Sequence, residues 1–229
     1  EPQNPEIYKA RAAVQEGEKR YAEAAADWEK VLSLVGKKTT DRGARREARK
    51  RLVQVVVRWA QKTSSYRERW LAAFNQKPAD LDAGYCLAEL FTKSVVNGQP
   101  LDTLQKLFAL VPDDQELLLD LVKSYRQARR FDDAVALLLR LTELAPSRER
   151  EAFTQIAEIK SEARQDQEAI EWSQKALAKS PNDPVAYEHM GERYVEMHKL
   201  PEAIAAYEKA TELDAKRAIK QATELAARL

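Results

Sequence analysis

Four prolines, Pro78, Pro112, Pro146 and Pro181, follow one another at intervals of 34, 34 and 35 residues. Proline inside a helix removes a backbone donor and clashes with the preceding turn, and the residue before it avoids the helical region. Each proline therefore marks the end of a helical stretch. Within each interval, apolar residues recur at helical spacing in two runs. A two-helix unit of this size cannot bury both of its apolar stripes alone, so it has to stack on its neighbours. An apolar share of 44%, a charged share of 33% and only six Gly also favour helix over sheet or disorder.

The unit Pro184–Arg217 carries the pattern most completely. Counted from Pro184, Tyr187, Met190, Gly191 and Tyr194 fall at places 4, 7, 8 and 11, and Ala203, Tyr207 and Ala210 at 20, 24 and 27. Small residues at 8, 20 and 27 let neighbouring helices approach, and the large ones fill the spaces beside them. These positions resemble the tetratricopeptide repeat (TPR) pattern at nearly every diagnostic place. The resemblance implies an all-α fold, a right-handed α-α superhelix (TPR solenoid) of about six helix-turn-helix repeats plus a C-terminal capping helix. Its inner groove would be lined by the first helix of each pair.

A single solenoid over 1–229 is expected, with repeats at approximately 5–38, 47–80, 81–114, 115–148, 150–183 and 184–217. Residues 1–4 read as a disordered lead-in and 37–46 as a charged insertion. A terminal helix over 218–229 carries the stripe Ala218, Ile219, Ala222, Leu225, Ala226 and Leu229. The second helix of the third unit is expected to start at or just after Pro100. Several residues depart from the pattern. Arg11 stands where a large apolar residue belongs. Gln54 and Tyr66 replace small residues in the second unit and should hold its helices further apart or at a different tilt. Lys160 and Ser173 occupy places 11 and 24 of the fifth unit.

Little in the chain suggests catalysis. His189 and His198 lie nine residues apart, about 13 Å of helical rise, too far to share a metal ion. Cys86 is the only cysteine and reads as a small, partly buried apolar side chain. No glycine-rich phosphate loop is present. No catalytic residue, cofactor or metal is assigned. No apolar run reaches the roughly 18 residues that span a bilayer. The chain begins Glu-Pro-Gln-Asn-Pro, which suggests an excised fragment or a processed chain. The compartment stays open between cytoplasm, periplasm and a membrane-tethered fragment.

The net charge is +1, which argues against a dedicated nucleic-acid binder, but it hides an asymmetry. Residues 1–80 hold 18 Lys and Arg against 11 Asp and Glu, and the remainder hold 20 against 26. Arg42, Arg45, Arg46, Arg49, Lys50 and Arg51 form a basic run. It reads either as a solvated insertion or as a contact for an acidic protein, an anionic membrane or a nucleic acid. The absence of interleaved aromatic residues weakens the last version, and no nucleic acid is expected.

In TPR proteins, places 2, 5, 9, 12 and 13 of each first helix tend to face the groove. Here the resemblance places Arg51, Arg58, Trp59, Tyr85, Glu89, Lys123 and Arg126 there in the middle repeats. Glu151, Glu158, Glu162, Glu188, Glu192 and Glu196 follow in the last two. The acidic row is either a preference for basic ligands or a solvated face rich in a good helix former. The carboxylate clamp that binds chaperone tails needs Lys and Asn at set places, and Lys9, Ala13, Leu52, Asp82 and Cys86 do not supply it. Such a ligand is disfavoured. The expected function is a non-catalytic protein-protein interaction scaffold or adaptor that holds an extended segment or helix of another protein. The alternative is self-association, a homo-oligomer included, or structural support within a larger multidomain protein.

Overall fold

The computed structural model describes residues 3–36, 41–93 and 100–214. The chain divides into two compact units, Glu1–Val111 and Pro112–Leu229. The first holds α1 (Pro5–Gly17), α2 (Tyr21–Leu34), α3 (Arg42–Arg58), α4 (Thr63–Phe74), α5 (Leu81–Lys93) and α6 (Pro100–Leu110). The second holds α7 (Gln115–Gln127), α8 (Phe131–Leu144), α9 (Glu149–Glu162), α10 (Asp166–Lys179), α11 (Pro184–Glu196) and α12 (Leu200–Leu213). No strand occurs among the described residues. Pro100 starts α6, as the sequence suggests. The expected helix at 218–229 and the turn at 97–99 lie outside the described residues.

Four of the first helices, α1, α5, α7 and α11, share one start signal, which α3 and α9 lack. Asn4 accepts from the Glu6 amide at 3.0 Å, Asp80 from Ala83 at 3.2 Å, Asp114 from Glu116 and Leu117 at 3.1 Å, and Asp183 from Val185 at 3.1 Å. Each such cap satisfies an otherwise orphaned amide and contributes about 1 kcal/mol. Asn4 therefore belongs to the folded body and not to the lead-in expected at 1–4.

Four hairpins also share one turn. Lys19, Arg129, Arg164 and His198 all adopt left-handed backbone, with φ of 61°, 56°, 61° and 57°. After each of them the next amide reaches back five residues. Arg20 donates to the Gln15 carbonyl, Arg130 to Tyr125, Gln165 to Lys160 and Lys199 to Tyr194, at 2.8–2.9 Å. The left-handed residue itself donates three residues back, to Glu16, Arg126, Ser161 and Val195 respectively. This paired closure is the Schellman motif, which terminates the first helix and launches the second.

The α3–α4 hairpin departs from this plan. It turns through a 3-10 turn at Ala60–Lys62, and α3 packs on α2 and α5 while meeting α4 at few points. Trp70 and Phe74 are buried here, and Tyr66 meets the Trp70 ring edge-on at 5.3 Å. Tyr66, standing where a small residue is expected, accompanies this sparse meeting of α3 and α4. The helix also starts at Arg42, before the expected 47, so part of the charged insertion is helical. Its buried residues, Ala48, Leu52, Val53, Val55 and Val56, fall one position earlier in the repeat than the alignment from Glu47 requires. The unit runs in register from Arg46, and the extra residue is absorbed at the turn.

The other departures have local partners. Arg11 bonds the buried Asp27 through Nε at 2.7 Å. The Lys160 stem is buried while its Nζ reaches Glu168 at 2.7 Å and Gln165 at 3.1 Å. In the last repeat, a Cβ added to Gly191 would lie 2.8 Å from the Tyr207 ring, so only glycine admits that ring.

Candidate functional site

In the second unit, most of the expected acidic row comes together with Arg126, which the groove pattern includes, and with Arg148, Arg164 and Arg193, which it does not. Arg126 on α7 reaches α9, donating to Glu158 at 3.3 Å and forming a shorter contact with Glu162. Arg148 grips Glu151 with two bonds of 2.9 Å, holding the Glu151 carboxyl below its ordinary range. Arg193 lies 3.2 Å from Asp166 and 3.5 Å from Glu192, and Arg164 lies 3.4 Å from Glu196.

Burial orders these pairs. The side chains of Arg126 and Arg193 are 25% and 17% exposed, whereas Glu158, Glu162 and Glu192 are 38%, 44% and 45% exposed. The guanidiniums sit lower and hold the carboxylates in place, and the carboxylates face outward. Glu188 breaks the row. It is only 1% exposed, so it is a buried residue of α11 and not part of the surface expected to meet a partner. Lys123 is exposed on α7.

Between these side chains lies a pocket of about 260 Å³, lined by Arg126, Glu158, Glu162, Glu192, Arg193 and His189, with Ala157, Ser161, Ala169 and Ser173 as its smaller residues. Its origin is legible in the repeat. In the last repeat Tyr207 fills the notch at Gly191, but the corresponding residues one repeat earlier are Ser173 and Ala157, which leave the space open. His189 borders this pocket. Arg193 and Ala169 are contributors that the groove positions do not flag, and the departure at Ser173 is the signal that finds them.

In the first unit the expected residues scatter. Arg51 and Arg58 approach Glu16 at 3.8 and 3.5 Å, and Glu16 also accepts from the Trp28 indole at 2.9 Å. With the register moved to Arg46, Lys50 and Gln54 take the places assigned to Arg51 and Val55. Trp59 lies just beyond the end of α3. Tyr85 is covered by the Arg49 guanidinium at 3.7 Å, and Glu89 pairs with Lys93 at 2.8 Å. The basic run is not uniformly solvated: Arg45 and Arg49 are each 8% exposed and both bond Asp82. Arg45 also donates to the carbonyls of Leu32 and Val35 at 3.1 and 2.6 Å, tying α3 to the end of α2.

Burial pushes the Cys86 thiol far above its usual range. Among the described residues, no group of three or more His, Cys, Asp or Glu is placed to hold a metal ion. No helix among them is long and apolar enough to cross a membrane.

No protein-family model matches the chain, and no curated protein matches it. Solved structures do. "MamA MSR-1 C2" is 19% identical with a TM-score of 0.53, over 93% of this chain and 98% of that one. "Crystal structure of MamA" is 17% identical with a TM-score of 0.55, over 80% and 99%. YrrB, described as a TPR protein with an unusual peptide-binding site, is 15% identical with a TM-score of 0.51, over 96% and 93%. These likenesses show the fold: the chain is an all-α protein of the tetratricopeptide-repeat fold.

Proposed function

We propose that this chain is a non-catalytic protein-interaction scaffold. The α7, α9 and α11 face of its second unit holds a basic extended segment or helix of a partner. The observation that carries the reading is the pocket beside Ser173. It is lined by three outward-facing carboxylates, Glu158, Glu162 and Glu192, against two lower guanidiniums. One of those guanidiniums, Arg193, also serves Asp166. A long cationic side chain entering the pocket meets carboxylates already fixed by Arg126 and Arg193, so little side-chain ordering remains to be done on binding. The peptide-binding site named for YrrB agrees with this use of the fold.

The test is fluorescence anisotropy with a labelled peptide bearing lysine at every third position, titrated with the chain and with its Glu158→Lys/Glu192→Lys variant. Both positions are partly exposed, so the variant should keep its helical circular dichroism. The expected result is a loss of at least tenfold in affinity, from replacing attraction by repulsion. Equal affinity in the two proteins sinks the proposal.

A further inference from the structure

We propose that the outward face of α3 in the first unit docks a carboxylate-rich segment of another protein. The inference stands apart from the reading of the second unit, because it uses different residues and the opposite charge.

The face is defined by what α3 buries. Arg45, Ala48, Arg49, Leu52, Val53, Val55 and Val56 turn inward. Arg42, Gly43, Arg46, Glu47 and Lys50 lie on the other side, and all but the half-buried Arg46 are exposed. Asp82 takes both Arg45 and Arg49, so two cations of the basic run are neutralised within the fold. The same contacts fasten the helix to α5. Of the four other cations of the run, Arg51 approaches Glu16 at 3.8 Å, and Arg42, Arg46 and Lys50 are carried on this rigid support. Among the described residues, Arg42 and Lys50 form no ion pair, while Arg20, Arg69, Arg126, Arg130, Arg148 and Arg193 all do.

Geometry selects the ligand. Residues four apart on a helix rise about 6 Å each, so the three cations span about 12 Å. Carboxylates four apart on a partner helix, or two apart on an extended strand, repeat at nearly the same interval. A concavity of about 410 Å³ lies along this face, lined by Gly43, Arg46, Glu47, Lys50, Arg51 and Gln54. A Cβ built on Gly43 would meet no heavy atom within 4 Å, so the surface is open there. Arg42 opens the helix, where the macrodipole adds positive potential.

The lining also discriminates between anions. Glu47 sits among the cations and would repel a continuous phosphate backbone, whereas discrete carboxylates can straddle it. No aromatic ring lines the concavity for a base to stack on, and no large apolar side chain lines it for insertion into a lipid surface.

The experiment titrates the full chain against a labelled alanine-based helical peptide with glutamates four residues apart, and against the same peptide with glutamines. The expected result is at least tenfold tighter binding of the glutamate peptide, weakening as salt rises. Arg42→Glu/Arg46→Glu/Lys50→Glu should remove that binding, and Arg42→Gln/Arg46→Gln/Lys50→Gln, which adds no negative charge, should still lower it severalfold. Glu158→Lys/Glu192→Lys should leave it unchanged, which separates this site from the one in the second unit. Equal binding of the two peptides overturns the proposal, as does full binding by the glutamine variant. Tighter binding of a single-stranded oligonucleotide or of phosphatidylserine vesicles would assign the face to another class of partner. Concentration-dependent self-association abolished by the triple-glutamate variant would assign it to a second copy of this chain.

Discussion

Arg126 on α7 reaches across to Glu158 on α9, with Nη1 3.3 Å from Oε2, and the same guanidinium also takes Glu162 one turn further on. One cation thus fixes two carboxylates of the proposed binding face, offsetting part of their charge while setting their positions.

Replacing Arg126 by Gln separates those two effects. The variant should lose about 0.5–1 kcal/mol of stability in urea denaturation, the usual scale for a partly exposed ion pair. Its affinity for the lysine-bearing peptide should rise, with a steeper dependence on salt, because two carboxylates are left uncompensated. If affinity falls instead, positioning outweighs charge at this site.

Ser173 controls the pocket without carrying charge. Ser173→Leu fills space that other repeats fill with Leu138 or Tyr207. It should leave thermal stability equal or higher while lowering peptide affinity by at least fivefold. Isothermal titration and a melting curve on the same sample check both halves.

Glu188 should behave unlike its neighbours in the sequence pattern. It is 1% exposed, so Glu188→Lys places a longer cation in a closed site and should cost about 2–4 kcal/mol. Glu192→Lys should cost under about 0.5 kcal/mol, as surface changes usually do. Chemical denaturation of the two variants side by side gives the answer.

The left-handed turns give a stabilising prediction. Lys19 and His198 hold φ of 61° and 57°, where a residue with a Cβ is strained by about 1–2 kcal/mol. Glycine removes that strain and returns part of the gain as chain entropy. Lys19→Gly and His198→Gly should each stabilise by about 0.5–1 kcal/mol, read as a higher midpoint in urea.

Arg148 holds the Glu151 carboxyl below the ordinary value of 4.5. The pair's contribution is complete above that value and is lost as pH falls through the lowered one. Glu151→Gln should therefore be less stable than the parent at neutral pH, and the gap should narrow as the pH falls below 4.5 and through the lowered value. A gap independent of pH would mean the contact contributes through packing alone.

The chain's repeat is legible because packing demands it: glycine at 191 against Tyr207, alanines at 203 and 210, prolines following α4, α6, α8 and α10. What could not be read was where long charged chains settle. Arg45 and Arg49 look like surface charges in the sequence, yet Asp82, more than thirty residues away, draws both inward. Glu188 occupies a groove position in the pattern but is covered in the fold. The register of α3 slipped by one because the turn at Ala60–Lys62 absorbs an extra residue, and no repeat consensus anticipates that. Ser173 was visible as a departure, but its consequence, an open pocket, depends on Ala157 also being small.

Several ion pairs of the second unit join one repeat to the next: Arg126 to Glu158, Arg148 to Glu151, Arg164 to Glu196 and Arg193 to Asp166. In a stacked array, the coupling between neighbours decides whether the whole melts together or frays unit by unit. Here part of that coupling is electrostatic and open to screening. Raising the salt concentration should therefore broaden the unfolding transition of this unit more than it lowers the midpoint, loosening the bond between repeats while leaving each hairpin's apolar core intact.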